Sequence, residues 1–355
     1  MPSASNTKWN GMIAGRPTLE LPIASSKRIP ALDGWRAISI LLVLAGHLLP
    51  LGPSDLRFND QAGLMGMALF FAISGFLIVR FLAEGMPVSA FAARRLSRIL
   101  PLSWTAMLAI WVFSGSSPKQ LLSSLLYYAN LPSAQLMHGG EHLWSLCVEM
   151  QFYIAAAALC LLFRSRKGLY LVPVLCCLVT ALRVYDDEPI SIVTWHRVDE
   201  ILAGGTIALL YCGWFGARSR TLLSRVPVWV CVAALLVCSH PVFGPALYLR
   251  PYAAALVIGS SIYGFSRVLN PVLTSRVMAY VAEISYALYV IHGALVVTWL
   301  GTGETLQKYA KRPLLLATTF ALAHISTRYF EKPFIKLARR LTSPQFPARV
   351  PLGST

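Results

Sequence analysis

Charged side chains are scarce in this sequence, and their scarcity excludes an ordinary soluble protein. Asp, Glu, Lys and Arg together make up only 13% of the 355 residues, whereas a soluble domain carries about 25%. Hydrophobic residues account for 56% of the chain and form more apolar segments than one soluble core could bury. A composition of this kind is typical of an integral membrane protein.

The cysteines lack the spacing that would indicate a metal or disulfide site. The seven cysteines include no Cys-x-x-Cys pair, and no group of Cys and His has the spacing of a zinc site. All seven lie within or beside apolar segments, as small residues of membrane helices do. The sequence therefore predicts neither a disulfide framework nor a bound metal.

The beginning of the chain lacks the short apolar core and the small-residue cleavage site of a signal peptide. The first apolar segment follows Trp35, so we expect it to remain in the protein as a membrane anchor. Residues 1–28 are expected to form a cytoplasmic tail, residues 29–340 the transmembrane domain, and residues 341–355 a second cytoplasmic tail.

Ten apolar segments predict an all-α fold, namely a polytopic membrane bundle of about ten transmembrane helices. The predicted spans are residues 35–51, 64–83, 99–115, 143–163, 168–185, 198–215, 226–240, 251–267, 277–300 and 313–330. Several are shorter than the roughly 20 residues of a standard span, which helix tilt or burial inside the bundle allows.

Basic residues are concentrated in alternate segments between the predicted spans. With the N-terminus placed inside, 20 of the 31 Lys and Arg residues fall in inside segments and seven in outside segments. This is the pattern of the positive-inside rule, and it predicts that both ends are cytoplasmic. The net charge of +16 would indicate nucleic-acid binding in a soluble protein. Here membrane topology explains it, so no nucleic-acid partner is expected.

The first predicted span carries ionisable residues, which are costly in a membrane and therefore point to function. Arg36 and His47 are 11 residues apart, about three turns of an α-helix, so they share a face, with Asp33 nearly in line. A neutral imidazole is a suitable general base near neutral pH. The alternative for His47 is a structural histidine that hydrogen-bonds a neighbouring helix.

The fourth predicted span carries a second polar set. Glu149 follows His142 by seven residues, about 10 Å along one helix face, and Tyr153 lies one turn deeper. Glu149 is thus at a depth comparable with that of His47, where a carboxylate could orient the imidazole or stabilise its cation. The alternative is an ordinary buried carboxylate paired with an arginine.

Two further clusters of charge each allow two interpretations. Arg95 and Arg98 are three residues apart, so they share a helix face and could bind a phosphate, although the positive-inside rule alone also accounts for them. Arg197 and Asp199, at the outer end of the sixth span, could form a salt bridge within the loop or bind an acceptor. Both interpretations stay open at this point.

Seven motifs occur in the order in which a known family carries them, from Arg28 to Leu337. By these motifs the sequence resembles the acyltransferase 3 family of bacterial membrane acyltransferases. The motifs are Leu32–Arg36 with His47, Phe70–Phe76, Arg94–Pro101, His142–Tyr153, Arg197–Asp199, Ile284–Tyr289 with His292, and Phe330–Phe334.

The resemblance implies a ten-helix bundle of the bacterial inner membrane that moves an acyl group, usually acetyl, from cytoplasmic acyl-CoA to a glycan. Acetyl-CoA would be a co-substrate rather than a permanently bound cofactor. The other partners that the resemblance implies are a glycan or lipid-linked saccharide acceptor and membrane lipid.

The resemblance also assigns roles by position in the motifs. His47 would be the general base and Glu149 would support its cation. Arg36, Arg95 and Arg98 would bind the phosphates of CoA. The residues expected to contact the substrates are Asp33, Trp144, Tyr153, Arg197 and Asp199. Direct attack on the thioester and a covalent acyl-histidine intermediate are both compatible with these roles.

A transporter is the competing interpretation, because intramembrane Arg, His and Glu residues also form proton relays. The sequence shows neither the internal repeats nor the paired broken helices of many transporters, which favours an enzyme. A purely structural scaffold would leave the polar residues of the first span unexplained.

Overall fold

The computed structural model describes residues 28–163, 166–264 and 266–342. These residues form helices joined by loops, and no strand occurs in the ranges given. The all-α prediction is therefore confirmed. The two predicted tails fall almost entirely outside the described residues.

Sixteen α-helices occur in the described part of the chain. In order they are α1 Pro30–Leu48, α2 Phe58–Ala83, α3 Val88–Ser114, α4 Pro118–Leu125, α5 Trp144–Leu162, α6 Leu171–Tyr185, α7 Thr194–Arg197, α8 Asp199–Tyr211, α9 Gly216–Arg225, α10 Val228–Ser239, α11 Arg250–Tyr263, α12 Leu269–Leu273, α13 Arg276–Val296, α14 Thr305–Ala310, α15 Arg312–Ile325 and α16 Lys332–Thr342. A single π-helical turn, Ser326–Glu331, joins α15 to α16.

Within the described ranges, seven helical stretches are long and apolar enough to cross a membrane. They are Pro30–Leu48, Ser54–Ala83, Val88–Ser114, Glu141–Leu162, Arg166–Tyr185, Pro241–Tyr263 and Arg276–Val296. A multi-pass helix bundle is what this set indicates. Each of the ten predicted spans coincides with a helix.

The predicted count of ten spans is not confirmed, because three of these helices are short. Helices α8, α10 and α15 have 13, 12 and 14 residues, and a helix rises about 1.5 Å per residue against a hydrocarbon core of about 30 Å. The predicted spans at α8 and α10 include loop residues, and the one at α15 includes part of the π-helical turn Ser326–Glu331. Hydropathy does not distinguish these residues from α-helix.

Helix α2 lies at the centre of the bundle and packs against α1 on one side and α8 on another. The contact with α8 is close enough to require glycine. A Cβ atom added at Gly75 would lie 1.8 Å from the carbonyl oxygen of Ile201, and one at Gly204 would lie 1.9 Å from that of Ala72. Small residues let two helix backbones approach in this way inside a membrane.

Helix α1 packs against both α2 and α13. Proline 30 is in its first turn, where the missing N–H of proline is tolerated. Because α1 has α13 as a direct neighbour, side chains on its polar face meet side chains of α13. This contact positions the candidate site.

Candidate active site

Helix α1 carries polar side chains near both of its ends, and each end belongs to a separate cluster. His47 lies in the last turn, while Asp33 and Arg36 lie near the start. The clusters are named here the histidine cluster (His47, His142 and His292) and the arginine cluster (Arg36, Arg95 and Arg98). The predicted placement of Arg36 and His47 on one helix is what the structure shows.

The histidine cluster brings together three imidazole rings from three segments of the chain. His47 Nδ1 lies 3.0 Å from His292 Nε2, and the two rings stack with their centroids 5.3 Å apart. The ring of His142 packs edge-on against His292 at 4.8 Å. His292 is 1% exposed, whereas His47 is exposed, so His47 is the member that a substrate can reach.

The hydrogen bonds of His292 fix the proton positions in both rings. Its Nδ1 lies 2.7 Å from the carbonyl oxygen of Tyr289 and 3.3 Å from that of Leu288. A carbonyl oxygen only accepts, so Nδ1 of His292 carries the proton and, in the neutral ring, Nε2 is an acceptor. His47 then donates from Nδ1, which leaves the lone pair of its own Nε2 free. This is the tautomer that a general base requires.

The contact between the His142 and His292 rings is supported by two hydrogen bonds that join α13 to α5 and the residue His142 just before it. The hydroxyl of Tyr289 donates to the backbone carbonyl of His142, and Ser145 Oγ donates to the Tyr289 hydroxyl oxygen over 2.6 Å. A Cβ atom at residue 293 would lie 2.1 Å from His142 Nδ1, so Gly293 leaves the space that the His142 ring occupies. These contacts limit the freedom of the residues around His292.

A cavity of about 550 Å³ opens beside His47, and His47 forms part of its wall. The loop after α1 supplies much of the lining, and Asn59 holds that loop in place. Asn59 Nδ2 donates to the carbonyl oxygens of Gly46 at 2.7 Å and Leu49 at 2.6 Å. The cavity is within the size range of small-molecule sites in proteins.

The arginine cluster lies toward the other end of α1. Arg36 is within electrostatic range of Arg95 and Arg98 of α3, and also of Asp33 and Glu149. Among the described residues, none of the three arginines forms an ion pair within 4.0 Å. Like charges held together without partners repel one another, so a bound anion would stabilise the cluster.

Glu149 and Tyr153 lie beside the arginine cluster. The Arg95 guanidinium sits over the Tyr153 ring, 5.6 Å from its centroid, and the Tyr153 hydroxyl donates to Glu149 Oε1 over 2.5 Å. The hydroxyl of Ser74 donates to the same carboxylate oxygen. Glu149 is 5% exposed, so these two donors satisfy one oxygen of a buried carboxylate.

The structure does not bring Glu149 to His47. Within the described chain, no hydrogen bond or ion pair joins these two residues, and His292 is the ring partner of His47. The expectation that Glu149 contacts the imidazole used depth in the membrane alone. Sequence position fixes depth only roughly, and here Glu149 lies within electrostatic range of Arg36 near the start of α1, whereas His47 is in the last turn of that helix. A catalytic role for Glu149 stays a prediction.

A small apolar pocket of about 10 Å³ lies between the two clusters. Ser39 and Val43 of α1 line it, together with Phe70 of α2 and Tyr289 of α13. Both α1 residues fall between Arg36 and His47 in sequence. The pocket therefore lies beside the stretch of α1 that separates the two clusters, and it is narrow in this structure.

The helix turn after α15 adds another acid near the arginine cluster. The π-helical turn Ser326–Glu331 buries Glu331, whose carboxylate accepts from Thr327 Oγ1 at 2.9 Å and lies in electrostatic range of Arg98. Single π turns are frequent at functional sites. This turn places the Phe330–Phe334 motif beside α3.

Arg197 and Asp199 lie in a buried ionic network. Asp199 accepts from Arg183 Nη1 at 2.5 Å, and Arg197 Nη2 lies 3.4 Å from Glu200. The Arg197 guanidinium also sits over the ring of Trp144, 5.3 Å from its centroid. Of the two interpretations left open, ion pairing is the one that the described contacts show. Acceptor binding by Arg197, Asp199 and Trp144 stays a prediction.

Two residues of the site were not singled out from the sequence. His292 was noted only within a motif, although an ionisable residue in the span 277–300 carried the same signal as His47. Arg312 was counted only as an outside cation, yet it lines the cavity beside His47. No spacing rule connects either residue to His47, because 245 residues separate His292 from it in sequence.

Comparison with known proteins gives a family match over most of the chain. A family model described as an acyltransferase domain matches residues 29–327. The peptidoglycan O-acetyltransferase OatA of Listeria monocytogenes is 22% identical over 88% of this chain and 56% of its own length. YrhL of Bacillus subtilis, provisionally described as a peptidoglycan O-acetyltransferase, is 26% identical over 86% of this chain and 54% of its own length.

This chain therefore spans about half the length of the curated relatives that it matches. No solved structure matches it.

Proposed function

This chain belongs to the acyltransferase 3 family, and we propose that it is a membrane O-acetyltransferase that moves an acetyl group from acetyl-CoA to a hydroxyl of a glycan. The observation that carries the proposal is the accessible His47 with its Nδ1 held by His292. The arginine cluster on the same helix supports it, because it offers unpaired cations to an anionic donor.

The proposed reaction uses His47 as the general base. Its Nε2 takes the proton of the acceptor hydroxyl, and the oxygen attacks the carbonyl carbon of the acetyl thioester. The carbon–sulfur bond breaks, and the proton passes from His47 to the sulfur that leaves. The products are an O-acetyl ester and CoA as its free thiol. An acyl-histidine intermediate at Nε2 gives the same products in two steps.

Release of the CoA thiol together with ester formation tests this function. Purified protein in lipid vesicles would receive acetyl-labelled acetyl-CoA and a glycan acceptor, and both products would be measured. We expect one thiol for each ester formed. Movement of a solute across the vesicle membrane without thiol release would instead indicate a transporter.

The arginine cluster is proposed to bind the phosphates of CoA. Three guanidinium groups without ion pairs suit phosphate, because each can donate two parallel hydrogen bonds. Asp33 accepts from Arg28 Nε at 2.5 Å and lies within range of Arg36, so it helps set the charge at this end of α1. Glu149 holds Tyr153, and Tyr153 lies under Arg95, so we assign Glu149 a positioning role here.

The donor site can be tested at Arg98. Arg98→Ala should raise the Kd for acetyl-CoA on the order of 10- to 100-fold, the loss expected for charge-assisted hydrogen bonds. Arg98→Lys should recover only part of the affinity, because lysine cannot donate two parallel bonds.

The matched control is Arg276→Ala, which removes an exposed arginine from the start of α13. It should leave the Kd unchanged. Equal acetyl-CoA affinity in the wild type, Arg98→Ala and Arg98→Lys would show that Arg98 serves topology alone.

We also propose that the protein lies in the bacterial inner membrane with both ends in the cytoplasm, as the 20-to-7 division of basic residues supports. A reporter that is active only in the periplasm should therefore be silent when fused after Thr355. The same reporter inserted after Ser116, in the predicted outside segment between α3 and α4, should be active. An active reporter at Thr355 would mean an odd number of spans or the opposite orientation.

A further inference from the structure

The cavity beside His47 is lined by a buried cation that forms no hydrogen bond or ion pair within the described residues. Arg312 begins α15 and is 5% exposed. Its Nε and Nη1 atoms are buried and have no hydrogen-bond partner in the part of the chain that the structure describes. Its nearest compensating contact is the Tyr309 ring, 5.8 Å from the guanidinium carbon. Arg312 and His47 both line the cavity, so this cation faces the same space as the proposed base.

No carboxylate in the cavity is available to Arg312. Asp60 is the one acidic residue among the described residues of the lining, and its Oδ2 accepts from Arg57 Nε at 2.9 Å. Lys308 is a third cation of the lining and forms no ion pair in the described ranges. The lining therefore has a surplus of positive charge, and the least exposed of its cations is Arg312.

The neighbouring Lys311, unlike Arg312, is a cation whose hydrogen bonds are satisfied by the fold. Its Nζ donates to the carbonyl oxygens of Trp299 at 2.5 Å and Thr302 at 2.7 Å, so the fold satisfies it. Arg312, the next residue, receives no such partner. A buried guanidinium without partners costs stability, and such groups in native proteins call for an explanation.

We propose that Arg312 binds an anionic group of the acceptor, a carboxylate or a phosphate, and that the substrate class is therefore an acidic or phosphate-bearing saccharide. This inference rests on the proposed function and deepens it. Two guanidinium N–H groups can donate in parallel to either anion. The N-terminal end of α15 adds favourable dipoles, and Lys308 adds a second cation. The acceptor would thus present a hydroxyl to His47 while Arg312 binds the anionic group of the same acceptor.

A binding experiment tests the anion site without requiring catalysis. Cellobiose, cellobiouronic acid and cellobiose 1-phosphate differ in the presence and kind of anionic group. The full chain in detergent would be titrated with each sugar, and thermal stabilisation would be measured. We expect one or both anionic sugars to bind the wild type on the order of 10- to 100-fold more tightly than cellobiose. The anion that binds better is the one that the site prefers.

Arg312→Met should bind all three sugars alike. Without ligand it should unfold no earlier than the wild type, because the substitution removes a buried charge that has no partner. Lys119→Met, which removes an exposed cation of α4 on the same predicted side, is the matched control and should keep the preference. Equal binding of all three sugars to the wild type, or a preference that survives Arg312→Met, would overturn the proposal.

Acetyl transfer to the same three sugars separates this proposal from the proposed function. Anion binding that depends on Arg312, with no ester formed on any saccharide, would leave the anion site standing and remove the acetyltransferase. Ester formed at equal kcat/KM on all three sugars would leave the acetyltransferase standing and remove the anion site. Ester formed faster on an anionic sugar, with the difference lost in Arg312→Met, supports both.

Discussion

His47→Ala should lose acetyl transfer by a factor on the order of 100 to 10,000, the contribution of a positioned general base. The residue is accessible in the cavity wall, and its Nδ1 is bound to His292, so its Nε2 is free to accept a proton. Removing the imidazole leaves the arginine cluster at the other end of α1 intact. The variant should therefore still bind acetyl-CoA.

Three measurements on one preparation decide the role of His47: thermal stability in detergent, acetyl-CoA affinity, and acetyl transfer. The expected result is normal stability and affinity with very low transfer. If His47 were only a structural hydrogen-bonding residue, stability and transfer would fall together. A stable variant that retains more than about a tenth of the wild-type turnover would rule out the general base, because the expected loss begins near 100-fold.

His292→Leu should lower kcat on the order of 100-fold or more while leaving the KM for acetyl-CoA unchanged. His292 is a positioning residue: it accepts from His47 Nδ1 and so keeps the lone pair on Nε2. Leucine has no acceptor, and a base held in the wrong tautomer can lose up to about 10,000-fold in related chemistry. His292→Gln should recover part of the rate, because a carboxamide oxygen can accept from His47 while its nitrogen donates to the Tyr289 carbonyl.

Two controls separate positioning from folding. His324→Gln replaces a histidine whose Nδ1 lies 3.0 Å from the Tyr280 hydroxyl and that does not line the cavity. This variant should leave kcat unchanged. If His47 and His292 act as one unit, the double variant should lose no more activity than His47→Ala alone. A His292→Leu protein of normal stability and normal kcat would show that the contact between the two rings has no part in the reaction.

Some parts of the candidate site could be predicted from the sequence and others could not. Arg36 and His47 lie on one helix, so helical periodicity was enough to place them along a common face. Arg95 and Arg98 were predicted to share a face for the same reason, and the structure places both within electrostatic range of Arg36. Phosphate binding by the three arginines stays a prediction. The expected contact between Glu149 and His47 was not found, because Glu149 lies near Arg36 at the other end of α1, and depth judged from sequence position alone does not fix which residues of two helices meet.

The residues that sequence reasoning missed are those whose importance depends on contacts across the fold. His292 owes its role to a carbonyl oxygen one turn earlier in α13 and to the packing of α1 against that helix. Arg312 is distinguished only by what is missing around it, since Lys311 beside it has partners and Arg312 has none. Neither property can be predicted from the sequence alone.

By itself the sequence determined that this chain is a helical membrane protein, because long apolar segments can satisfy their backbone hydrogen bonds in lipid as helices. It also determined the polar residues that share a face within a single helix, since 3.6 residues per turn is a local property. Only the tertiary structure decided which helices meet and which polar groups find partners. Those outcomes arise from close packing, such as Gly75 and Gly204 between α2 and α8, and close packing joins residues far apart in sequence. The ring partner of His47 and the unpartnered charge of Arg312 are both features that only the tertiary structure decided.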